Sequence, residues 1–280
     1  SQVEQQFGKA LPLKTLFEAP TIAQFADLLK GAGAAHDWKN LSLIQPEGDG
    51  LPLFCVHGDE ASHFIPKYLG NTRPFYAFFH QGEDGKRIEY TTVESIASHF
   101  IREMKQAKPK GPYLLTGYSF GGIVAYEMAQ QLTAAGEQVP LLAVFDTYAP
   151  GLHLEAIKAD AKPWDGLKKA VLRGIVKRAL KNEGAVPARW RNFHIVDTYD
   201  QAVKAYMPAP YNGKLTVIKA GQSWGPKEMG WEKLARGGME VVVVPGDHYS
   251  LIKEPHVQAL TRELVARLEA GPAIAGAVRQ

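Results

Sequence analysis

Residues 114–132 read LLTGYSFGGIVAYEMAQQL, and their reading decides the architecture. The run YLLT, residues 113–116, predicts a buried strand, and GIVAYEMAQQL, residues 122–132, predicts a helix. Between them Gly117, Tyr118, Ser119, Phe120 and Gly121 form a G-x-S-x-G pattern. In that pattern a strained strand-to-helix turn pushes the serine hydroxyl out above a sheet. Glycines flank the serine because side chains there would collide with the turn. A helix starting at the serine also aims its first N–H groups at the site, where they favour developing negative charge.

The same strand-and-helix alternation continues on both sides. Residues 51–56, 74–79, 141–145, 214–220 and 239–244 are short apolar runs without polar alternation, the mark of strands buried on both faces. Residues 92–107, 119–135 and 256–269 carry helical spacing; Val93, Ile96, Ala97, Phe100, Ile101 and Met104 share one face. The predicted fold class is α/β, a mostly parallel sheet covered by helices. The alternation stops between Pro150 and Gly213, where the pattern is mainly helical. There Leu167, Val171, Ile175 and Ala179 form an apolar stripe, and Lys168, Lys169, Arg173, Lys177, Arg178 and Lys181 form a basic one. This segment, about 150–212, is read as a helical insertion standing on the sheet. Residues 1–35 read as a short helix, a turn and a second helix starting near Pro20–Thr21, joined to the main domain by HDWKN.

A serine hydroxyl needs a base to become a nucleophile. The chain holds nine histidines, of which His153, His194, His248 and His256 follow Ser119. His248 closes VVVVPGDHYS directly after the last strand run, where a loop can return it to the site; His153 and His194 lie in the insertion, and His256 starts the last helix. For the acid, the strand 214–220 is followed by no carboxylate before Glu228, whereas strand 141–145 ends directly in Asp146. Asp146 is therefore the candidate, with Asp197 and Asp200 as rivals and Asp247 in a loop or capping role. Its task would be to orient the imidazole and stabilise the imidazolium. An oxyanion hole needs two backbone N–H donors. Phe120 supplies one, and the loop VHGDEASHF supplies the other, with Asp59 the first choice and Gly58 or Glu60 open. Asp59 and Glu60 are expected to point away from the site or to attract an amine on the substrate or on the nucleophile.

Composition narrows the rest. A formal charge of +3 on 280 residues does not imply nucleic acid. No apolar run reaches membrane-spanning length, and the first ten residues are too polar for a signal peptide. The one cysteine, Cys55, sits in a strand run and fits a buried position in a reducing compartment.

Taken in order, LPLFCVHG, RPFYAFFHQGEDG, TTVESIASHFIREM, GPYLLTGYSFGGIVAYEMAQQL, VFDTYAP and PGDHYSLIKEPHV resemble the type I thioesterase domains that close nonribosomal peptide synthetase and polyketide synthase assembly lines. The resemblance covers about residues 40–270. It implies an α/β-hydrolase fold with a helical lid at 150–212 and a triad at Ser119, Asp146 and His248. It further implies a thioester substrate delivered on the 4'-phosphopantetheine of a carrier domain, with no metal and no cofactor bound by this domain, in the cytoplasm. LPLKTLFEAPTIAQFADLL is similar to the end of an acyl or peptidyl carrier domain, so residues 1–35 are expected to be that end plus linker and 36–280 the thioesterase domain. A free-standing editing thioesterase, a general serine esterase and an inert binding module are the alternatives. The loop HGDEASHF departs from the family's glycine-rich pattern, which leaves the second oxyanion donor open. The basic stripe of the lid is read as a solvated face or as a docking surface for an acidic carrier.

Overall fold

The computed structural model describes residues 6, 22–30, 38–58, 60–159, 164–182 and 184–270. Helix α1 (Ile22–Lys30) falls where the second helix of the leader was expected. Of the first leader helix only Gln6, which is helical, is among the described residues. The main domain runs β1 (Leu41–Gln45), β2 (Leu53–Val56), α2 (Ala61–Leu69), β3 (Phe75–Phe78), α3 (Val93–Ala107), β4 (Leu114–Tyr118), α4 (Phe120–Ala134) and β5 (Leu141–Phe145). It continues with α5 (Pro150–Ala159), α6 (Asp165–Asn182), α7 (Ala188–Ala205), β6 (Leu215–Ala220), β7 (Met239–Val244) and α8 (Val257–Ala270). The described strands form one seven-stranded sheet in the order β1-β3-β2-β4-β5-β6-β7. All neighbours pair in parallel except β1, which runs antiparallel to β3 at the edge.

The unbroken apolar runs follow from two cores. Successive side chains of a strand point to opposite faces. Phe54 and Val56 enter one core beneath α3 and α4, and Leu53 and Cys55 enter the other beneath α2 and α8. Both faces are covered, so polar alternation would leave unpaired groups in a core. Cys55 is fully buried. Helix α3 starts at Thr92, whose hydroxyl accepts from the Ser95 N–H in a capping box, one reason its start is legible in TTVES.

The structure adds two elements and changes two expectations. Strand β1 and helix α2 were not read from the sequence. Strand β7 was expected to be buried on both faces, yet it is the other edge strand, and Val243 is half exposed. On α6 the expected apolar stripe does not pack as a unit. Ala179 and Val176 are buried, while Leu167 and Val171 are 73% and 56% exposed. The buried apolar contacts of the helix are therefore in its C-terminal half, while Lys169 and Arg173 tie the rest to α7 through ion pairs. No described helix is long and apolar enough to cross a membrane.

Candidate active site

Ser119 sits between the end of β4 and the start of α4 with φ 53° and ψ −124°. A non-glycine residue reaches that region only under constraint. Here the Ser119 N–H donates to the Phe145 carbonyl at 3.0 Å and its carbonyl accepts from Gly122 N–H at 3.0 Å, so both neighbouring elements hold the turn. The glycines leave room for that closure. A Cβ on Gly117 would lie 2.3 Å from the Gly121 oxygen, and one on Gly121 would lie 2.2 Å from the Val56 oxygen. Both obstacles are backbone and cannot rotate away. Gly121→Ala is thus expected to destabilise the protein by about 2–3 kcal/mol through overpacking. Chemical denaturation with the midpoint and slope both fitted would check this.

The next strand delivers the carboxylate. Asp146 follows β5 with φ 44° and its side chain is fully buried. Such a group must be hydrogen-bonded, and it is. Oδ1 accepts from the Ala220 N–H at 2.9 Å, while Oδ2 accepts from the Ser223 hydroxyl at 2.6 Å and meets His248 Nδ1 at 2.7 Å. His248, on the loop after β7, places Nε2 3.1 Å from Ser119 Oγ. A proton on Nδ1, facing the carboxylate, leaves the Nε2 lone pair to accept from the serine hydroxyl. The three strand ends β4, β5 and β7 thereby bring Ser119, Asp146 and His248 into one hydrogen-bonded line.

The rivals lie elsewhere. Asp197 receives both prongs of Arg173 at 2.7 and 2.8 Å, and Asp200 pairs with Lys169 at 3.2 Å, both inside the insertion. Asp247 accepts from the N–H groups of Tyr249 and Ser250, a turn that holds its carboxyl below the usual range and keeps the His248 loop in shape. Of the histidines after Ser119, only His248 is hydrogen-bonded to it among the described residues.

Two side chains that the sequence did not single out support the line. Tyr118 donates its hydroxyl to the His248 carbonyl at 2.7 Å and stacks on the imidazole, with ring centroids 5.0 Å apart. Ser223 occupies the loop after β6, where no carboxylate was available, and ties Asp146 to that loop. Lys219, itself buried, donates to the Ser223 carbonyl. A hydrogen bond to a charged group contributes about 1.5–3 kcal/mol. Ser223→Ala should therefore cost roughly tenfold in kcat through a less fixed Asp146, with KM unchanged. Steady-state thiol release from a model thioester reads both constants.

On the oxyanion side, Phe120 is the first residue of α4, so its N–H precedes the helical hydrogen-bond ladder. Asp59 lies outside the described residues. Gly58 is packed against Ser62, whose hydroxyl would be 2.5 Å from an added Cβ, and the Glu60 carboxylate pairs with Lys253 at 3.1 Å. The Phe120 ring stacks on Tyr199 of α7 at 4.2 Å and 9°, and Tyr199 stacks in turn on His57 at 5.4 Å. The Gln81 N–H donates to the Tyr199 hydroxyl at 3.3 Å. The insertion is thus keyed onto the residue next to the serine. Neither His57 ring nitrogen has a hydrogen-bond partner among the described residues. Burial, with His80 at 4.0 Å adding to it, pushes the His57 imidazole well below its ordinary value of 6.5. The folded ring stays neutral where the unfolded ring takes a proton. Stability is accordingly expected to be full above about pH 6.5 and to fall as pH drops below it. Melting temperatures from pH 7.5 to 5 would show the decline, and His57→Phe would make it shallower, the rest coming from His99, His153 and His194, which burial also lowers.

Comparison with known proteins places the chain in a family. The chain matches the model of the Thioesterase domain family over residues 52–268. It is 29% identical over 279 residues to malpibaldin synthetase of Mortierella alpina, covering 95% of this chain and 5% of that protein. It is 25% identical to atromentin synthetase of Tapinella panuoides, covering 95% of this chain and 32% of that one. The chain thus spans a third or less of the length of these relatives. Among solved structures, a thioesterase domain named NocB, in covalent complex with a fluorophosphonate nocardicin G analogue, superposes with a TM-score of 0.62 at 24% identity. That alignment covers 82% of this chain and 99% of that one, and it supports the fold alone. The family match runs from β2 to α8 and takes in Ser119, Asp146, His248 and the whole insertion, so the chain belongs to the Thioesterase domain family, with the α/β-hydrolase fold.

Proposed function

We propose that this domain ends an assembly line by taking an acyl or peptidyl chain from carrier-bound phosphopantetheine onto Ser119 and releasing it. The observation that carries this reading is the hydrogen-bonded line from Ser119 Oγ through His248 to the buried Asp146 carboxylate, with steps of 3.1 and 2.7 Å. In the first half, Ser119 Oγ attacks the thioester carbonyl while its proton passes to His248 Nε2. The tetrahedral oxyanion takes N–H bonds from Phe120 and a second donor in the loop 57–60. The C–S bond then breaks, and the thiol leaves with the proton from His248. In the second half, His248 takes a proton from water, or from a hydroxyl or amine of the chain, and this acceptor attacks the acyl-serine. The C–O bond to Ser119 breaks and Oγ recovers its proton. Asp146 stays ionised throughout and holds the imidazole in the required tautomer.

In this reading residues 1–35 are the end of a carrier domain with its linker, 36–280 are the thioesterase domain, 150–212 are its lid, and the work takes place in the cytoplasm. The similarity to synthetases supports the carrier partner. The test compares thiol release from an acyl chain on a carrier domain with that from free acyl-pantetheine and with hydrolysis of a simple ester of the same acid. The proposal expects the carrier thioester to give the highest kcat/KM. A simple ester turned over equally well would replace it with a general esterase.

A further inference from the structure

Away from the serine, helices α6 and α7 and the loop between β3 and α3 enclose a cleft of about 590 Å³. That volume lies in the range of small-molecule sites. Its floor is apolar, from Val176 and Leu180 of α6 and Phe193 of α7. Its rim is cationic, from Arg87 of the core loop and Arg173, Lys177 and Lys181 of α6. Asp197 is the one carboxylate lining it among the described residues, and that group is already engaged by both prongs of Arg173. Arg87, Lys177 and Lys181 form no ion pair among the described residues. His194 also lines the cleft, and its Nε2 is buried without a hydrogen-bond partner among the described residues.

An apolar floor under a positive rim selects for amphipathic anions. A neutral apolar ligand would use the floor but none of the three cations, and a bare inorganic ion would use the cations and leave the floor wet. We propose that this cleft is a second binding site, for an organic anion with an apolar body and a carboxylate or phosphate head. The head lies among Arg87, Lys177 and Lys181, with Arg173 held in place by Asp197, and the body lies on Val176, Leu180 and Phe193. Because Arg87 belongs to the core and the other cations to the insertion, a bound anion clamps α6 toward the sheet. The site does not rest on the acyl-transfer reading, and its test uses no turnover.

The test is calorimetric titration of the whole protein with octanoate, octyl phosphate and octanol in turn. Binding of octanoate or octyl phosphate that weakens with added salt is expected, with octanol at least tenfold weaker; the tighter of the two anions identifies the head group. Lys177→Gln with Lys181→Gln is expected to weaken anion binding about tenfold, as loss of charge-assisted contacts to the head requires. Arg87→Gln, changing the core side of the cleft, is expected to weaken it as well. All three positions are exposed, so the variants should fold, and melting curves check this. Occupying Ser119 with a covalent fluorophosphonate should leave the affinity unchanged. The proposal is overturned if octanol binds as well as octanoate, if the lysine variant binds the anions as the parent does, or if the serine probe abolishes binding.

Discussion

Ser119→Ala is expected to lower thioester turnover by about three to six orders of magnitude while leaving the melting temperature nearly unchanged. The size follows from the position of the hydroxyl. In the proposed mechanism it is the one group of the line that forms a bond to the substrate, and no other hydroxyl is hydrogen-bonded to His248 Nε2 among the described residues. The residual rate should come from the Phe120 N–H and substrate binding, which the substitution leaves in place. The backbone should tolerate alanine, because the turn is held by the main-chain bonds of residue 119 and by the glycines around it. Thiol-release kinetics beside differential scanning calorimetry check both halves. A loss below tenfold would mean that another group attacks the thioester.

Asp146→Asn should cost about four orders of magnitude in kcat for a different reason. The amide nitrogen can donate to Nδ1, which would place the imidazole proton on Nε2, where it faces Ser119 and can no longer accept. In the proposed mechanism the carboxylate also balances the imidazolium formed in each half-reaction, and an amide would not. The fold should suffer less, since the amide oxygen can still accept from the Ala220 N–H or the Ser223 hydroxyl. Single-turnover acylation separates this effect from product release. Activity retained within tenfold would remove Asp146 from the proposed mechanism and return attention to Asp200 and Asp197.

Much of this was legible because it is written in local pattern. Strands β2 to β6 lie between two cores, so their residues are mostly apolar, with Thr116, Thr216 and Lys219 as buried exceptions. The elbow is local too, since Gly117 and Gly121 are required by contacts within a few residues and one neighbouring strand. Asp146 was legible because a strand ends in it. What was missed depends on distant partners. Strand β1 is short and carries Ser42 and Gln45; it pairs with β3 through backbone bonds that no pattern announces. Helix α2 was hidden by Pro66 in its interior. A serine in a loop is unremarkable, and Ser223 matters only because Asp146, in the preceding strand pair, lies against it. Tyr199 looked like an ordinary helical aromatic, and its stack on Phe120 spans the whole insertion boundary. The stripe on α6 was legible as a period, but the exposure of Leu167 and Val171 was not, because periodicity gives the side of a helix and not what covers it.

The central claim is that Ser119 receives the acyl chain from a thioester. Intact-protein mass spectrometry after rapid mixing with acyl-pantetheine and acyl-carrier thioesters tests it most directly, with Ser119→Ala as control. The account predicts a mass gain equal to the acyl group on the parent protein, located to the peptide holding residues 114–132, and none on the variant. Thiol release with the same acyl mass on the Ser119→Ala protein would contradict it.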